Sequence, residues 1–228
     1  GRLVDPSEIL KHLSYLKTAL ITVGSTREYI DPVRYITNES SGQQGMALIK
    51  SLIKNNFKVI CLHGYLQVKP IVSKKISYIF TPNAESMLKA AKKNKNVDLA
   101  IFNAAVADYR VENYQKQKIK RNKNLTLKLK NNPDILKTIS NISSGPQITV
   151  GFAYETNDVK TNALKKLKKK NCDYLVLNYP ISKNNIFNNK YNNGGIFNKK
   201  GHYHQIGNVT KTSFANQVLR HILKAENE

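Results

Sequence analysis

The chain has 228 residues, enough for one domain with a substantial core, and its 40% hydrophobic and 23% charged residues exclude a disordered or collagen-like protein. No apolar run approaches the roughly 18 residues of a membrane helix, so a spanning protein is excluded. The 37 Lys and Arg against 15 Asp and Glu give a formal charge of +22, which favours a polyanionic partner, but abundant Lys and Asn also fit AT-rich codon usage, so no specific nucleic-acid partner is expected.

Short apolar runs alternate with helical periodicity along the whole chain. A first helix is predicted over Ser7–Leu16. Strands are predicted at Lys17–Val23, Lys58–His63, Lys75–Phe80, Asp98–Asn103, Leu125–Lys130, Ile148–Ala153 and Asp173–Asn178. Helices are predicted at Gln43–Lys54, Ala84–Lys93, Pro133–Asn141, Val159–Lys170 and Ser213–Ala225. This order predicts a three-layer, Rossmann-like α/β domain with a mainly parallel sheet.

Two segments depart from the alternation. Asp108–Asn124 is polar, rich in lysine and too long for an ordinary connection, which predicts a mobile functional loop. Asn184–Lys200 is dominated by Asn, Lys and Gly and is typical of an exposed low-complexity loop. It leads into a predicted β-hairpin extension formed by Ile196–Phe197 and Tyr203–Ile206.

The cysteines and the N-terminus indicate where the protein resides. Cys61 and Cys172 are far apart and beside apolar strands, so we expect two buried thiols in a reducing, cytoplasmic environment. No signal peptide is apparent. The chain begins with Gly1-Arg2, and we expect a fragment of a longer protein or a chain from which a tag was removed.

Ligands of doubly wound sheets bind beyond the carboxyl ends of the strands, so the loops that follow the strands carry the candidate site. Four such loops stand out, at Gly24–Gly42, Asn103–Arg110, Asn131–Leu136 and Gly151–Thr156. In the first, Gly24, Ser40, Ser41 and Gly42 precede a helix and can bring backbone N–H groups to a phosphate. Neither a Walker loop nor a GxGxxG fingerprint is present.

The other loops allow more than one interpretation. Asn132-Pro133-Asp134 is typical of a helix start, with Asn132 as the cap. Asp108 follows a buried strand and is expected to bind a hydroxyl or a metal, or to cap its own loop. The lysines at Lys118, Lys120 and 165–170, with Arg121, suit a triphosphate, but their positions alone do not distinguish ligands from solvated charges.

Five ordered motifs resemble phosphopantothenoylcysteine synthetase, the ligase that joins phosphopantothenate to cysteine. They are D-P-V-R-x-I-x-N-x-S-S-G at 31–42, A-A-V-A-D-Y at 104–109, K-I-K at 118–120, N-P-D-I at 132–135 and G-F-A-x-E-T at 151–156. Two positions depart from the family pattern: Ser25 stands where Gly is usual, and Arg121 where Lys is common.

The resemblance implies a two-step reaction. The carboxylate of 4′-phosphopantothenate attacks the α-phosphorus of CTP, giving an acyl-cytidylate and pyrophosphate, and the cysteine amine then displaces CMP. It implies Lys118 and Asn38 as catalytic residues, the first neutralising the triphosphate and the second holding the acyl-cytidylate. The implied nucleotide-binding residues are Phe102, Asn103, Ala104, Asp108, Lys118, Asn132, Pro133, Asp134, Ile135, Phe152, Lys166 and Lys170. The implied substrate- and phosphate-binding residues are Gly24, Ser25, Thr26, Arg34, Asn38, Ser40, Ser41 and Gly42.

The resemblance also implies Mg²⁺, with Asp108 as a candidate ligand of the metal or of the ribose, and a homodimer in which the hairpin near Tyr203–Ile206 pairs across the two-fold axis. Residues 1–228 are then the synthetase domain, with 1–16 a remnant of the linker from an upstream decarboxylase domain; FMN is expected only in that domain. Two alternatives stay open: an ATP-using member of the same family, and a basic nucleic-acid-binding α/β module supported only by the +22 charge.

Overall fold

The central feature of the computed structural model, which describes residues 17–121, 124–180 and 190–224, is an eight-stranded sheet. Its strands are β1 (Thr18–Val23), β4 (Lys58–His63), β5 (Ile76–Phe80), β6 (Leu99–Phe102), β9 (Ile148–Tyr154), β10 (Tyr174–Asn178), β11 (Tyr191–Asn198) and β12 (Tyr203–Thr210). Their order across the sheet is β12-β11-β10-β9-β6-β1-β4-β5. The six strands from β10 to β5 are parallel, and β11 and β12 add an antiparallel hairpin at one edge.

Strand order reverses at β1. The chain runs from β1 outward to β4 and β5, then returns to place β6 on the other side of β1. A crevice forms between the connections that leave such a switch point in opposite directions, and ligands of open α/β sheets bind there. The loops after β1 and β6 therefore frame the expected binding crevice.

Five helices cover the two faces of the sheet within the described part of the chain: α1 (Gln43–Lys54), α2 (Ala84–Lys93), α3 (Ile135–Ser140), α4 (Val159–Lys170) and α5 (Lys211–Lys224). The buried side chains of α1 and α5 form one core with Ile21 and Ile101. On the opposite face, α2 and α3 pack against Leu20 and Phe102, and α4 packs against Leu175. The alternation of β1 and β6 between the two cores follows from the two-residue side-chain period of a strand.

The predicted fold class is confirmed. Helices α1, α2 and α4 and strand β4 have the predicted bounds, and the other parallel strands differ by one residue at one or both ends. A capping box explains the sharp start of α2: the Asn83 side chain accepts from the Ser86 N–H, and Ser86 Oγ lies 3.2 Å from the Asn83 nitrogen. The predicted helix over Ser7–Leu16 lies outside the described residues.

One predicted strand was wrong, one hairpin was not predicted, and one predicted loop was only partly right. No strand of the main sheet forms over 125–130; instead β8 (Leu129–Asn131) pairs with β7 (Tyr109–Val111) in a separate, exposed hairpin. The pattern there alternates apolar with polar residues, which specifies an extended strand but not the two buried faces of a parallel sheet. The hairpin β2 (Arg27–Tyr29) and β3 (Tyr35–Thr37) was not predicted. The predicted hairpin of Ile196–Phe197 and Tyr203–Ile206 is confirmed as β11 and β12, but 191–198 is a mostly buried strand rather than part of an exposed loop. No described helix has the length and apolar character needed to cross a bilayer.

Gly45 lets α1 approach β1 closely. A Cβ at this position would lie 2.3 Å from Cγ1 of the fully buried Val23. The stiff Val23 side chain cannot yield without shifting its own backbone, so Gly45→Ala is expected to lower the free energy of unfolding by about 1–3 kcal/mol, as overpacked cores do. Urea titrations measure this loss. The added change Val23→Ala should recover part of it, and two losses that simply add would contradict the contact.

Candidate active site

Two adjoining cavities of about 650 Å³ each open at the carboxyl ends of the strands. The one over the α1 and α5 face is called the α1 cavity. Its lining comprises Thr37, Asn38, Glu39, Ser40, Ser41, Gly42, Gln43, Gln44, Asn103, Ala104, Ala105, Val106, Asp108, Phe152, Ala153, Tyr154, Asn178, Asn192 and Lys211. The α1 cavity thus joins the start of α1 to the ends of β6, β9 and β10.

The second cavity, over the α3 and α4 face, is called the α3 cavity. Its lining comprises Thr22, Phe102, Ala104, Val106, Ala107, Asp108, Tyr109, Asn131, Asn132, Pro133, Asp134, Ile135, Leu136, Phe152, Lys166, Lys169, Lys170 and Leu175. Ala104, Val106, Asp108 and Phe152 line both cavities and form a shared wall. A ligand in one cavity can therefore meet a ligand in the other across the edge of the sheet.

Two ion pairs hold Lys166 and Lys170, two of the three lysines that line the α3 cavity. Lys170 pairs with Asp134, whose other carboxylate oxygen accepts from the Lys137 N–H and caps α3. The nitrogen of Lys166 lies 2.6 Å from the buried Glu155 carboxylate. These pairs fix two ammonium groups in the lining of the cavity, where a polyphosphate could form charge-assisted contacts with them.

The start of α3 differs from its prediction. Asp134, not Asn132, is the N-cap. The Asn132 side chain instead donates to the Ala107 carbonyl at 2.8 Å and accepts from Arg110 at 2.8 Å. Asn132 thus ties the loop after β6 to the start of α3, and a sequence reading of the cap could not show this because both asparagine and aspartate cap helices well.

The segment 24–26 forms hydrogen bonds with the loop after β6, which contributes to both cavities. Gly24 accepts from the Ala105 N–H at 2.8 Å, and Thr26 Oγ1 accepts from the Ala107 N–H at 3.0 Å. Gly24 has a φ of 80°, and a Cβ there would lie 2.5 Å from the Tyr65 carbonyl oxygen. Ser25 needs no positive φ, so this departure from the family pattern causes no backbone strain.

Glu28 is buried beside the same loops. Its carboxylate accepts from the Ala84 N–H at 2.8 Å, at the start of α2. Burial raises the pKa of Glu28 above its ordinary value, although the Ala84 N–H and the positive charge of Arg110 act in the opposite direction. Glu28 thus connects the β2–β3 hairpin to the start of α2.

Asp31 and Arg34 anchor the segment that carries Lys118. The Asp31 carboxylate accepts from the Ile119 N–H at 3.1 Å and pairs with Arg34 at 2.8 Å, and Arg34 donates to the Ile119 carbonyl at 3.1 Å. Both backbone groups of Ile119 are therefore bound, whereas the side chain of the flanking Lys118 is exposed. Two residues of the D-P-V-R motif thus fix the backbone of Ile119, the residue between the two lysines of the K-I-K motif.

Asp31→Asn is expected to loosen this anchor. An amide nitrogen in place of one carboxylate oxygen would face the N–H donors of Ile119 or Arg34, so at least one hydrogen bond is lost. We expect faster hydrogen exchange at Ile119 with little change at Ile21 in the core, measured by mass spectrometry of peptides. Unchanged exchange at Ile119 would show that Asp31 does not hold this segment.

The same anchor should depend on pH. Burial by itself raises the pKa of Asp31, but the N–H groups of Val33, Ile119 and Arg34 and the Arg34 charge lower it below its ordinary value. The stabilisation is therefore complete above the unfolded pKa of about 3.9 and is lost as the pH falls through the lower folded pKa. Asp31→Asn should remove this acid dependence from the exchange at Ile119.

Most sequence-predicted residues line the two cavities. Asn38, Ser40, Ser41, Gly42 and Asn103 line the α1 cavity; Phe102, Asn132, Pro133, Asp134, Ile135, Lys166 and Lys170 line the α3 cavity; Ala104, Asp108 and Phe152 line both. Gly24, Ser25, Thr26, Arg34 and Lys118 line neither. Gly24, Ser25 and Thr26 support the loop after β6, and Arg34 anchors the segment of Lys118. Direct contact of these five residues with a ligand therefore stays a prediction.

The predicted site residues omit eight polar residues of the α1 cavity: Thr37, Glu39, Gln43, Gln44, Tyr154, Asn178, Asn192 and Lys211. Asn178 ends β10, so the rule that ligands bind beyond the carboxyl ends of parallel strands could have identified it. Asn192 and Lys211 belong to the antiparallel edge and the helix after it, for which no such rule exists.

A doubly wound sheet with two joined cavities at its switch point defines a ligand-binding protein of the Rossmann-like α/β class. Sequence comparison is more specific: the DNA/pantothenate metabolism flavoprotein C-terminal domain matches residues 15–225. The chain belongs to this family. It is 35% identical over 231 residues to the coenzyme A biosynthesis bifunctional protein CoaBC of Vibrio cholerae, covering 96% of this chain and 57% of that protein. It spans a little over half the length of that relative.

Solved structures agree with the fold. The C-terminal domain of a coenzyme A biosynthesis bifunctional protein CoaBC matches with a TM-score of 0.76 and 31% identity, covering 93% of this chain and 98% of that one. A Cab2 H337A variant in complex with phosphopantothenate-cysteine matches with a TM-score of 0.73 at 18% identity, covering 96% of this chain and 89% of that one.

Proposed function

We propose that the chain is a phosphopantothenate–cysteine ligase that condenses 4′-phosphopantothenate with L-cysteine and consumes CTP through an acyl-cytidylate. The observation that carries the proposal is the shared wall between the α1 and α3 cavities, because activation of an acid by a nucleotide requires two ligands to meet. The coenzyme A biosynthesis name of the Vibrio cholerae relative and the phosphopantothenate-cysteine ligand of the Cab2 structure support this substrate class.

The α3 cavity would hold the nucleotide and the α1 cavity the acid. Lys166, Lys169 and Lys170 line the α3 cavity and would face the phosphates. The substrate carboxylate would then attack the α-phosphorus across the shared wall, and the cysteine amine would attack the resulting acyl phosphate from the α1 side. Positioning and charge neutralisation are the main requirements of both steps.

Asp108 fits a magnesium ion that arrives with the nucleotide. No cluster of three or more His, Cys, Asp or Glu lies within residues 17–121, 124–180 and 190–224. Magnesium in nucleotide sites needs one or two carboxylates beside the substrate phosphates, and the exposed Asp108 carboxylate lines both cavities. Mg²⁺ bound there would neutralise phosphate charge; a contact of Asp108 with the ribose is the alternative role.

The homodimer, the cytoplasmic location and an upstream FMN-dependent decarboxylase domain belong to the same proposal. Strand β12 is an edge of the eight-stranded sheet, so its outer backbone groups can pair with a second copy. Sedimentation velocity distinguishes the expected dimer from a monomer.

The test is pyrophosphate release from 4′-phosphopantothenate and Mg²⁺ with CTP or ATP, in the presence and absence of cysteine. We expect pyrophosphate release with CTP but not with ATP, and formation of CMP that depends on cysteine. Release with ATP would be consistent with the proposed ligase activity but would overturn the proposed preference for CTP. No release with either nucleotide, although both bind, would overturn the proposed function.

A further inference from the structure

The three lysines that line the α3 cavity are not held alike. Lys166, Lys169 and Lys170 all lie near the end of α4. Lys166 pairs with Glu155, which follows β9, and Lys170 pairs with Asp134 at the start of α3. Among the described residues, no carboxylate forms an ion pair with Lys169. Two ammonium groups of the cavity are therefore fixed by other elements, and the third is not.

Glu155 is itself firmly placed. It is 8% exposed, and its N–H donates to the carbonyl of Asn178 at the end of β10, at 3.1 Å. Its Oε1 lies 2.6 Å from Nζ of Lys166, whose side chain is half-exposed. A buried carboxylate needs a cationic partner to remain charged. The mobile partner of this pair is the lysine, so Glu155 determines where the ammonium group of Lys166 lies.

This pair prepares Lys166 for an anionic ligand. An ammonium group has three N–H donors, and one of them faces Glu155, so the other two can reach phosphate oxygens. A free lysine loses conformational freedom when it binds phosphate, whereas Lys166 has lost much of it beforehand. The Glu155 charge also repels a phosphate, but water screens this longer-range repulsion at a half-exposed site more than it weakens direct hydrogen bonds.

Glu155 lines neither cavity, so its influence on a ligand would pass through Lys166. A carboxylate close to a polyphosphate site is unfavourable unless a cation lies between them, and Lys166 occupies that position. We propose that Glu155 is a positioning residue that holds the Lys166 ammonium group towards the phosphates of the nucleotide. The inference rests on the proposed function, in which the α3 cavity holds the nucleotide.

The first test compares the two substrates. Glu155→Gln should raise the KM for CTP about 3- to 10-fold, the cost of ordering one long side chain on binding. The KM for 4′-phosphopantothenate should stay unchanged, and kcat should change much less than the KM for CTP. Glu155→Asp keeps the charge but withdraws it from Lys166 by one carbon–carbon bond, so it should cause a similar increase. An unchanged KM for CTP in either folded variant would overturn the inference.

A double-mutant cycle distinguishes positioning from a structural role. Lys166→Gln leaves no ammonium group to hold, so the added change Glu155→Gln should raise the KM for CTP no further. In Lys169→Gln, by contrast, the same addition should have its full effect, because Lys169 does not pair with Glu155. Increases that multiply in the Lys166→Gln background would show that Glu155 acts by another route, and would overturn the proposal.

Glu112→Gln is the matched control. Glu112 pairs with Lys128 at 2.9 Å, and neither residue lines the two cavities. The control therefore makes the same substitution in another glutamate–lysine pair, and the KM for CTP should remain that of the wild type. An increase equal to that of Glu155→Gln would contradict a specific role of Glu155. Thermal unfolding of each variant verifies that it is folded.

Calorimetry with CTP keeps this test separate from the proposed function, because it requires no reaction. If the wild type bound CTP but released no pyrophosphate, the ligase would be overturned, while the Kd of the variants would still report on Glu155. Binding weakened about 3- to 10-fold in Glu155→Gln, with no such effect in the Lys166→Gln background, would support the positioning role. Equal binding by the wild type and Glu155→Gln, or no binding of CTP by the wild type, would overturn it.

Discussion

Lys118→Gln is expected to lower pyrophosphate release about 10²- to 10³-fold, as the loss of one charged group aimed at a developing charge does. Lys118 is exposed and lines neither cavity, but its neighbour Ile119 is held by Asp31 and Arg34. The lysine can thus close over a bound triphosphate while its backbone stays anchored. Stopped-flow measurement of pyrophosphate with CTP and 4′-phosphopantothenate gives the rate.

Lys116→Gln is the control for Lys118. It removes the same charge from an exposed position two residues earlier, outside the K-I-K motif. We expect near wild-type release from this variant and unchanged thermal unfolding for both. Normal release by Lys118→Gln, or equal losses for the two variants, would show that Lys118 has no specific role in the first step.

Asn38→Asp is expected to slow the second step more than the first. Asn38 Nδ2 donates to the Val106 carbonyl at 3.0 Å, and Asn38 lines the α1 cavity. A carboxylate there would place an additional negative charge beside the acyl phosphate and repel the Val106 oxygen. The variant should still give a burst of pyrophosphate, but cysteine-dependent release of CMP should fall by at least about tenfold, as for a lost charge-assisted contact.

Single-turnover experiments separate these two rates. Asn96→Asp is a matched change at an exposed position just before β6. This position lies at the amino ends of the parallel strands, whereas the cavities open at their carboxyl ends, so the change should leave both steps intact. An equal reduction of both steps in Asn38→Asp would contradict a role in holding the intermediate and would instead indicate a general disturbance of the loop at Val106.

The parallel sheet and the helices that cover it were predictable because they depend on local patterns. β4 and α1 have the predicted bounds, since an apolar run and an amphipathic repeat are properties of neighbouring residues. The prediction over 125–130 was wrong for the same reason. Alternation of apolar and polar residues indicates a strand but not the strand with which it pairs, and β8 pairs with β7 outside the main sheet.

Candidate site residues were predictable where the chain leaves a parallel strand. The ends of β6 and β9 place Asp108 and Phe152 at the shared wall by the rule that such ends meet at one edge. The family resemblance added Lys166 and Lys170 of α4, which composition alone could not separate from solvated charge. Nothing local distinguished Lys211 from the other lysines of a chain with a net charge of +22.

Sequence alone therefore establishes the fold class, the loops that carry the site and, through its motifs, the family resemblance. The folded chain adds the pairings between distant residues. Asn192 meets Gln44 across 148 positions, and Asp31 binds the backbone of Ile119 across 88. Such contacts result from the packing of whole elements, whose positions no local propensity encodes; the first lies in the lining of the α1 cavity and the second anchors the segment of Lys118.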